Sequence, residues 1–263
     1  MIHPAAKILR KIDNQHFFRT FDDWIELMLL AHCADRSNPD CPHEKAFMEI
    51  MSGYGPRQEG RDHPADHFKA AMWTVMDMMK AENVTKTIRD HLGEIYEQEE
   101  AYNPHLGQFV APMPLCQLMA EFTSKGEHRE HETINDPACG SGRMFLAALP
   151  HFKLNQVTFY GTDKSPTRAM MATLNMLWRN ANSYIVWGSS LSAEANGGWA
   201  TAQTAIGGTV REMDKDQAQA ILESGLRQVA QGTQRIVPAP AARQVKEAMK
   251  TRENERGQLE MEL

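Results

Sequence analysis

The chain has 263 residues, of which 42% are hydrophobic and 24% charged; it is long enough for one large domain or two modest ones, with the composition of an ordinary globular protein. No apolar run approaches the ~20 residues that span a bilayer, and MIHPAAKILRKID at the N-terminus lacks the apolar core of a secretory signal, so a cytoplasmic protein with no membrane partner is expected. The net charge of -6 excludes a surface that is basic overall, whereas a protein that grips duplex DNA unaided normally carries a basic face, because phosphate neutralisation supplies most sequence-independent affinity.

In chain order, residues 16–33 place Phe17, Phe21, Trp24, Ile25, Met28 and Leu29 at three- and four-residue steps, the apolar stripe of an amphipathic helix. His32, Cys33, Cys41 and His43 are zinc-ligand types, but a Cys-x7-Cys pair with outlying histidines fits no compact zinc module. That stretch is read as a helix end followed by the polar loop SNPDCPH. With Cys116 and Cys139 the four cysteines are irregularly spaced, which points to reduced thiols rather than a disulfide framework. Residues 66–80 repeat the helical stripe with Phe68, Met72, Val75, Met76 and Met79, and the methionines there are read as packing. A further helix over Val84–Glu100 ends before Asn103-Pro104, giving an all-helical first domain, 1–103.

After Pro104 short β-like segments alternate with helices. Strands are expected at Glu132–Asn135, Gln156–Tyr160 and Ser183–Trp187, and helices at Pro114–Phe122, Arg143–Leu149 and Pro166–Asn180. This alternation is the pattern of βαβ units on a parallel sheet, placed in a second domain, 104–200. Beyond Gly197 the apolar content thins. Residues 201–263 are expected to be a polar, largely helical extension, with helices at Asp214–Ala230 and from Ala241 onward around VPAPA, either solvated or seeking a partner.

The segment from Ile134 to Gly142 carries the chemistry. A strand ending in Asp136, a turn with Gly140 and Gly142, and a helix starting at Arg143 bring a ligand to the C-terminal edge of a sheet. Such a turn accepts a phosphate or the amino-acid end of S-adenosylmethionine. A dinucleotide fingerprint needs a small residue where Phe145 stands, and a phosphate loop needs Gly-Lys-Ser/Thr, so neither nucleotide motif fits. The second element is Tyr160-Gly161-Thr162-Asp163. An acid at the end of the next strand is where a ribose diol is held, which makes Asp163 the ribose ligand, with Ser165 the better cap for the helix that follows.

Four segments then fall in order: DHLGEIYEQ (Asp90–Gln98), GQFVAP (Gly107–Pro112), NDPACGSG (Asn135–Gly142) and GTDKSPTRAMMATLNM (Gly161–Met176). Together they resemble the modification-subunit branch of the adenine-N6 DNA methyltransferases of type I restriction-modification systems. Those enzymes carry a D-x-x-G-x-x-Y-E helix, a G-Q/E-F-x-T-P motif, a D-P-A-C-G-S-G loop and an acidic second-strand end. The resemblance implies an α/β, Rossmann-like S-adenosylmethionine-dependent methyltransferase fold, its sheet incomplete or divergent, behind an N-terminal helical domain. It further implies that Phe109, Val110, Ala111 and Pro112 line the methionine end of the cofactor. Ala138, Cys139, Gly140, Ser141 and Gly142 would cradle it, Ser189 would lie at its adenine, and Asp136, Pro137 and Lys164 would join Asp163 among the cofactor-binding residues.

The same resemblance implies an N/D-P-P-Y/F motif after the fourth strand, which grips the amino nitrogen of an adenine flipped from the duplex. Here Asn38-Pro39 and Asn103-Pro104 precede the loop and neither continues Pro-aromatic; after Leu191 the chain reads SAEANGGWATAQTAIGGTVREMDKD. No catalytic residue is therefore assigned. Ser189 stands where the family has an aspartate, and Ala111 where it has a threonine. Each change loses a polar contact worth ~1–3 kcal/mol, so weakened or lost cofactor binding is expected. The 72 residues after Leu191 are short for half a sheet and a target-recognition region. Two functions follow: a divergent or split adenine methyltransferase that reaches DNA through another subunit, or a non-catalytic scaffold or decoy that binds a protein partner. A decayed product without activity is the bland third.

Overall fold

The computed structural model describes residues 2–13, 16–35, 37–38, 40–60, 62–85, 88–100, 111–124 and 131–232. Met1–Glu223 form one compact unit and Ser224–Leu263 a second; the expected helix from Ala241 lies outside the described residues.

The first unit opens with helices α1 (Pro4–Leu9), α2 (Phe17–Cys33), α3 (Pro42–Ser52), α4 (Pro64–Thr85) and α5 (His91–Glu100). All six stripe residues of α2 are buried, and Phe68, Val75 and Met79 of α4 join them in one apolar cluster. Two expectations need correction. The stretch after Cys41 is helix α3, because Pro42 sits in its first turn, where a missing N–H costs nothing. The single helix expected over Val84–Glu100 is instead two, since Asp90 starts a new one: its Oδ1 accepts the Gly93 N–H at 2.9 Å, an N-cap bond that satisfies a donor of the first turn.

Helix α6 (Met113–Thr123) leads to a five-stranded sheet in the order β1-β2-β3-β4-β5. Strands β1 (Glu132–Asp136), β2 (Val157–Asp163) and β3 (Ser183–Ser189) are parallel, linked through α7 (Arg143–Ala148) and α8 (Pro166–Trp178). Strands β4 (Glu194–Ala202) and β5 (Thr209–Met213) then run antiparallel, and α9 (Lys215–Gly232) follows. The hairpin β4–β5 adds two strands that the sequence pattern does not predict, β5 lying in the stretch ahead of the helix expected from Asp214: backbone pairing with β3 makes strands of a stretch rich in Gly and Ala, whose own strand preference is low.

Helix α8 is the shared wall of the unit. Ser165 caps it through its Oγ, and Thr167 through Leu177 are all buried. Met170, Met171, Leu174 and Leu177 pack toward the helical cluster. Ala169, Ala172 and Met176 pack with Phe145, Phe159 and Ile185 beneath the sheet.

Candidate functional site

The parallel register sets Asp136 beside Gly161, so the ends of β1 and β2 lie together with the turn from Pro137 to Gly142 above them. The turn is held through its backbone N–H groups. Asp136 Oδ1 accepts the Ala138 N–H at 3.0 Å, Thr162 O accepts the Cys139 N–H at 3.0 Å, and Cys139 O accepts the Gly142 N–H at 2.8 Å. Gly140 and Gly142 have φ of 55° and 80°, a left-handed conformation costly for residues with a Cβ. Of the remaining contacts, Asp163 Oδ2 accepts the Gly140 N–H at 3.0 Å and Oδ1 the Ser165 N–H at 2.9 Å. Ser190 Oγ donates to Pro137 O at 2.8 Å, which ties the end of β3 to the turn.

The turn has two sides. Outward, Pro137 and Ala138 are exposed, and the place a Cβ would occupy on Gly140 meets no atom within 4 Å. Inward, Ser141, Gly142 and Arg143 are buried. Burial first, then the neighbouring Asp163 charge, hold the Asp136 carboxyl above its ordinary range, against the Ala138 hydrogen bond. Cys139 has its thiol in the core, where burial pushes its pKa well up, and its Sγ donates to Gly140 O at 3.8 Å.

The expected site residues are thus partly gathered. Asp136 through Gly142 and Asp163 meet at one sheet edge. Ser189 is half-buried at the end of β3, its Oγ accepting the Ser192 N–H at 3.2 Å, and Lys164 is exposed. Ala111 and Pro112 lie just before α6, and Ala111 O accepts from Arg143 Nη1 at 3.0 Å. Phe109 and Val110 lie outside the described residues. His43, one of the zinc-type residues, has its Nε2 at 2.7 Å from the Glu212 carboxylate.

Sequence reasoning missed what lies beneath the turn. Asp90 Oδ2 accepts Ser141 Oγ at 2.5 Å and Arg143 Nε at 3.0 Å, and its Oδ1 accepts Asn175 Nδ2 at 3.0 Å. The signal was present in DHLGEIYEQ, where an acid precedes a glycine by three.

The model for the family described as N-6 DNA Methylase matches residues 87–208, a span running from the start of α5 past β4. Residues 87–208 belong to the N-6 DNA methylase family. The methylase segment is similar to the methylase subunit of the type I restriction enzyme MjaIX of Methanocaldococcus jannaschii, 30% identical over 105 residues, 36% of this chain and 18% of that protein. It is also similar to the HindI methylase subunit of Haemophilus influenzae, 25% identical over 161 residues, 57% of this chain and 35% of the relative. The chain therefore spans at most about a third of the length of these curated relatives. No solved structure matches it. The mixed α/β sheet is that of the S-adenosylmethionine-dependent methyltransferase fold, and among the described residues no helix is long and apolar enough to cross a membrane.

Proposed function

We propose that this chain carries the S-adenosylmethionine-binding portion of an adenine-N6 DNA methyltransferase, and that polypeptide outside these 263 residues supplies the N/D-P-P-Y/F motif. The observation that carries the reading is the left-handed glycine turn, open on its outer side, over two strand-end carboxylates. Among the described residues, neither Asp136 nor Asp163 draws a cation: their recorded partners are backbone N–H groups. S-adenosylmethionine brings positive charge in its ammonium and sulfonium groups, which suits an edge where burial and a neighbouring acid already raise Asp136.

Bound there, the cofactor supplies an electrophilic methyl group. The chain's own contribution is to orient it: Asp163 at the ribose, the Pro137–Gly142 backbone at the amino-acid end, and Ala111 and Pro112 alongside. Adenine recognition and a basic DNA surface come from the completing polypeptide, in keeping with the net charge of -6.

Ser189 in place of the adenine-reading aspartate favours a second reading, a scaffold of this fold that binds a partner without transferring a methyl group. Calorimetric titration of S-adenosylmethionine separates the two. Saturable heat supports the first reading, and none at millimolar cofactor overturns it. Methyl transfer to adenine-containing DNA on mixing with a methylase polypeptide bearing N/D-P-P-Y/F then tests completion.

A further inference from the structure

We infer that Asp90 is the positioning residue of the cofactor turn, clamping Ser141 and Arg143 from the helical region while its neighbours clamp them from α8 and from Ala111. This rests on the cofactor reading above.

Asp90 is 1% exposed, and its two oxygens receive four donors: Gly93 N, Asn175 Nδ2, Ser141 Oγ and Arg143 Nε. A carboxylate has about four lone-pair sites, so its accepting capacity is filled. Ser141 is held at both ends, by its hydroxyl on Asp90 and by its carbonyl, which accepts Asn175 Nδ2 at 2.8 Å. Arg143 spends its remaining donors on Glu97, at 2.8 and 2.9 Å, and on Ala111 O. One guanidinium thus joins α5, the turn and the segment before α6. The last two are the chain segments that the cofactor reading places around the methionine end.

Gly93 completes the fit. A Cβ on it would lie 2.6 Å from Asp90 Cγ and 2.7 Å from Ser141 Oγ, so the close approach of α5 to the turn requires glycine at that position. The acid at the start of α5 and the glycine three residues on are therefore one device. The acid grips the turn, and the glycine lets it come near. Fixing the inner side in advance leaves the outer side preorganised, which lowers the ordering cost that a ligand must meet.

The test uses the full chain and S-adenosylmethionine as the probe. Wild type, Asp90→Asn, Ser141→Ala and the double variant are compared for cofactor affinity by calorimetry, for global stability by thermal melting, and for amide exchange of Cys139 to Gly142. Ser141→Ala keeps the Asp90–Arg143 pair, so it reads out the clamp even where Asp90→Asn fails to fold. Each single variant should bind about tenfold more weakly, the equivalent of one lost charge-assisted hydrogen bond, with faster exchange confined to the turn. The double variant should be no worse than Asp90→Asn, because both act through one bond. Wild-type binding with unchanged affinity in Ser141→Ala, or additive losses in the double variant, overturns the positioning role. Absence of wild-type heat overturns the cofactor reading itself, and the inference with it.

Discussion

The Asp163 carboxylate accepts the Gly140 N–H at 3.0 Å, so the acid at the end of one strand holds the turn that follows its neighbour. Its other oxygen takes the Ser165 N–H at 2.9 Å. Asp163→Ala removes both acceptors and leaves two donors partly buried, a loss of about 1–3 kcal/mol, whereas Asp163→Asn keeps one oxygen and should lose less. Urea unfolding of the two variants checks the order. Midpoints equal to the wild type in both would show that the two bonds add nothing to the fold, leaving the acid to the ligand alone.

The two glycines of the turn should separate stability from ligand space. A Cβ on Gly142 would sit 3.3 Å from Ala172 Cβ at a φ of 80°, so Gly142→Ala combines backbone strain with crowding and should cost about 2–4 kcal/mol. Gly140→Ala meets open space at a φ of 55° and should cost only the strain, about 1–2 kcal/mol. Its main effect should be on cofactor affinity, since the added methyl points to the open side. Denaturation midpoints and calorimetry on the same pair measure both halves, and a larger stability loss in Gly140→Ala would reverse the assignment of sides.

The contrast between local and assembled features explains how much of this was legible in the sequence. The stripe of α2 and the NDPACGSG turn are contiguous patterns with one physical reading each, and both appear where expected. Strand β4 is not such a pattern: EANGGWATA has the side chains of a poor strand and becomes one only because β3 lies beside it. The Asp90 clamp is out of reach for another reason. Its partners Ser141 and Asn175 are 51 and 85 residues away; the acid-to-glycine spacing in DHLGEIYEQ marks Asp90 itself, but nothing around Ser141 or Asn175 marks them as its partners.

A buried imidazole pair predicts acid sensitivity. His3 Nδ1 accepts the Ala5 N–H at 3.2 Å, which leaves the ring proton on Nε2, facing His91 Nδ1 at 3.1 Å. His91 Nε2 in turn lies 2.7 Å from Glu82. Burial, then the nearby His91, lower the His3 pKa from 6.5 to about 4. A histidine lowered in the folded state binds fewer protons there than when unfolded, so its contribution is intact above pH 6.5 and is lost as the pH falls toward 4. Unfolding free energy should therefore drop across that window with a slope approaching one proton. His3→Asn, which keeps a capping oxygen but does not titrate, should flatten it. An unchanged slope in that variant would place the linkage elsewhere.

Two arginine pairs should differ sharply. Arg179 donates to Glu82 with both side chains under a tenth exposed, so Arg179→Met removes the guanidinium beside a buried carboxylate and should cost about 3–5 kcal/mol. Arg57 pairs with Asp66 at 2.7 Å, with the side chains 60% and 47% exposed, and Arg57→Met should leave the denaturation midpoint nearly unchanged. Chemical denaturation of both variants in low and high salt checks the claim, and only the Arg57 pair should weaken on adding salt.

The change of strand direction at β3 divides the sheet by the kind of chain closure each half requires. Strands β3, β4 and β5 follow one another through short connections and pair with their immediate successors, so their contacts close small loops at little entropic cost. The pairings of β1 with β2 and of β2 with β3 each need a helix to form and dock first. By contact order alone, the parallel half of the sheet that carries the Gly140 turn is expected to form more slowly than the hairpin half.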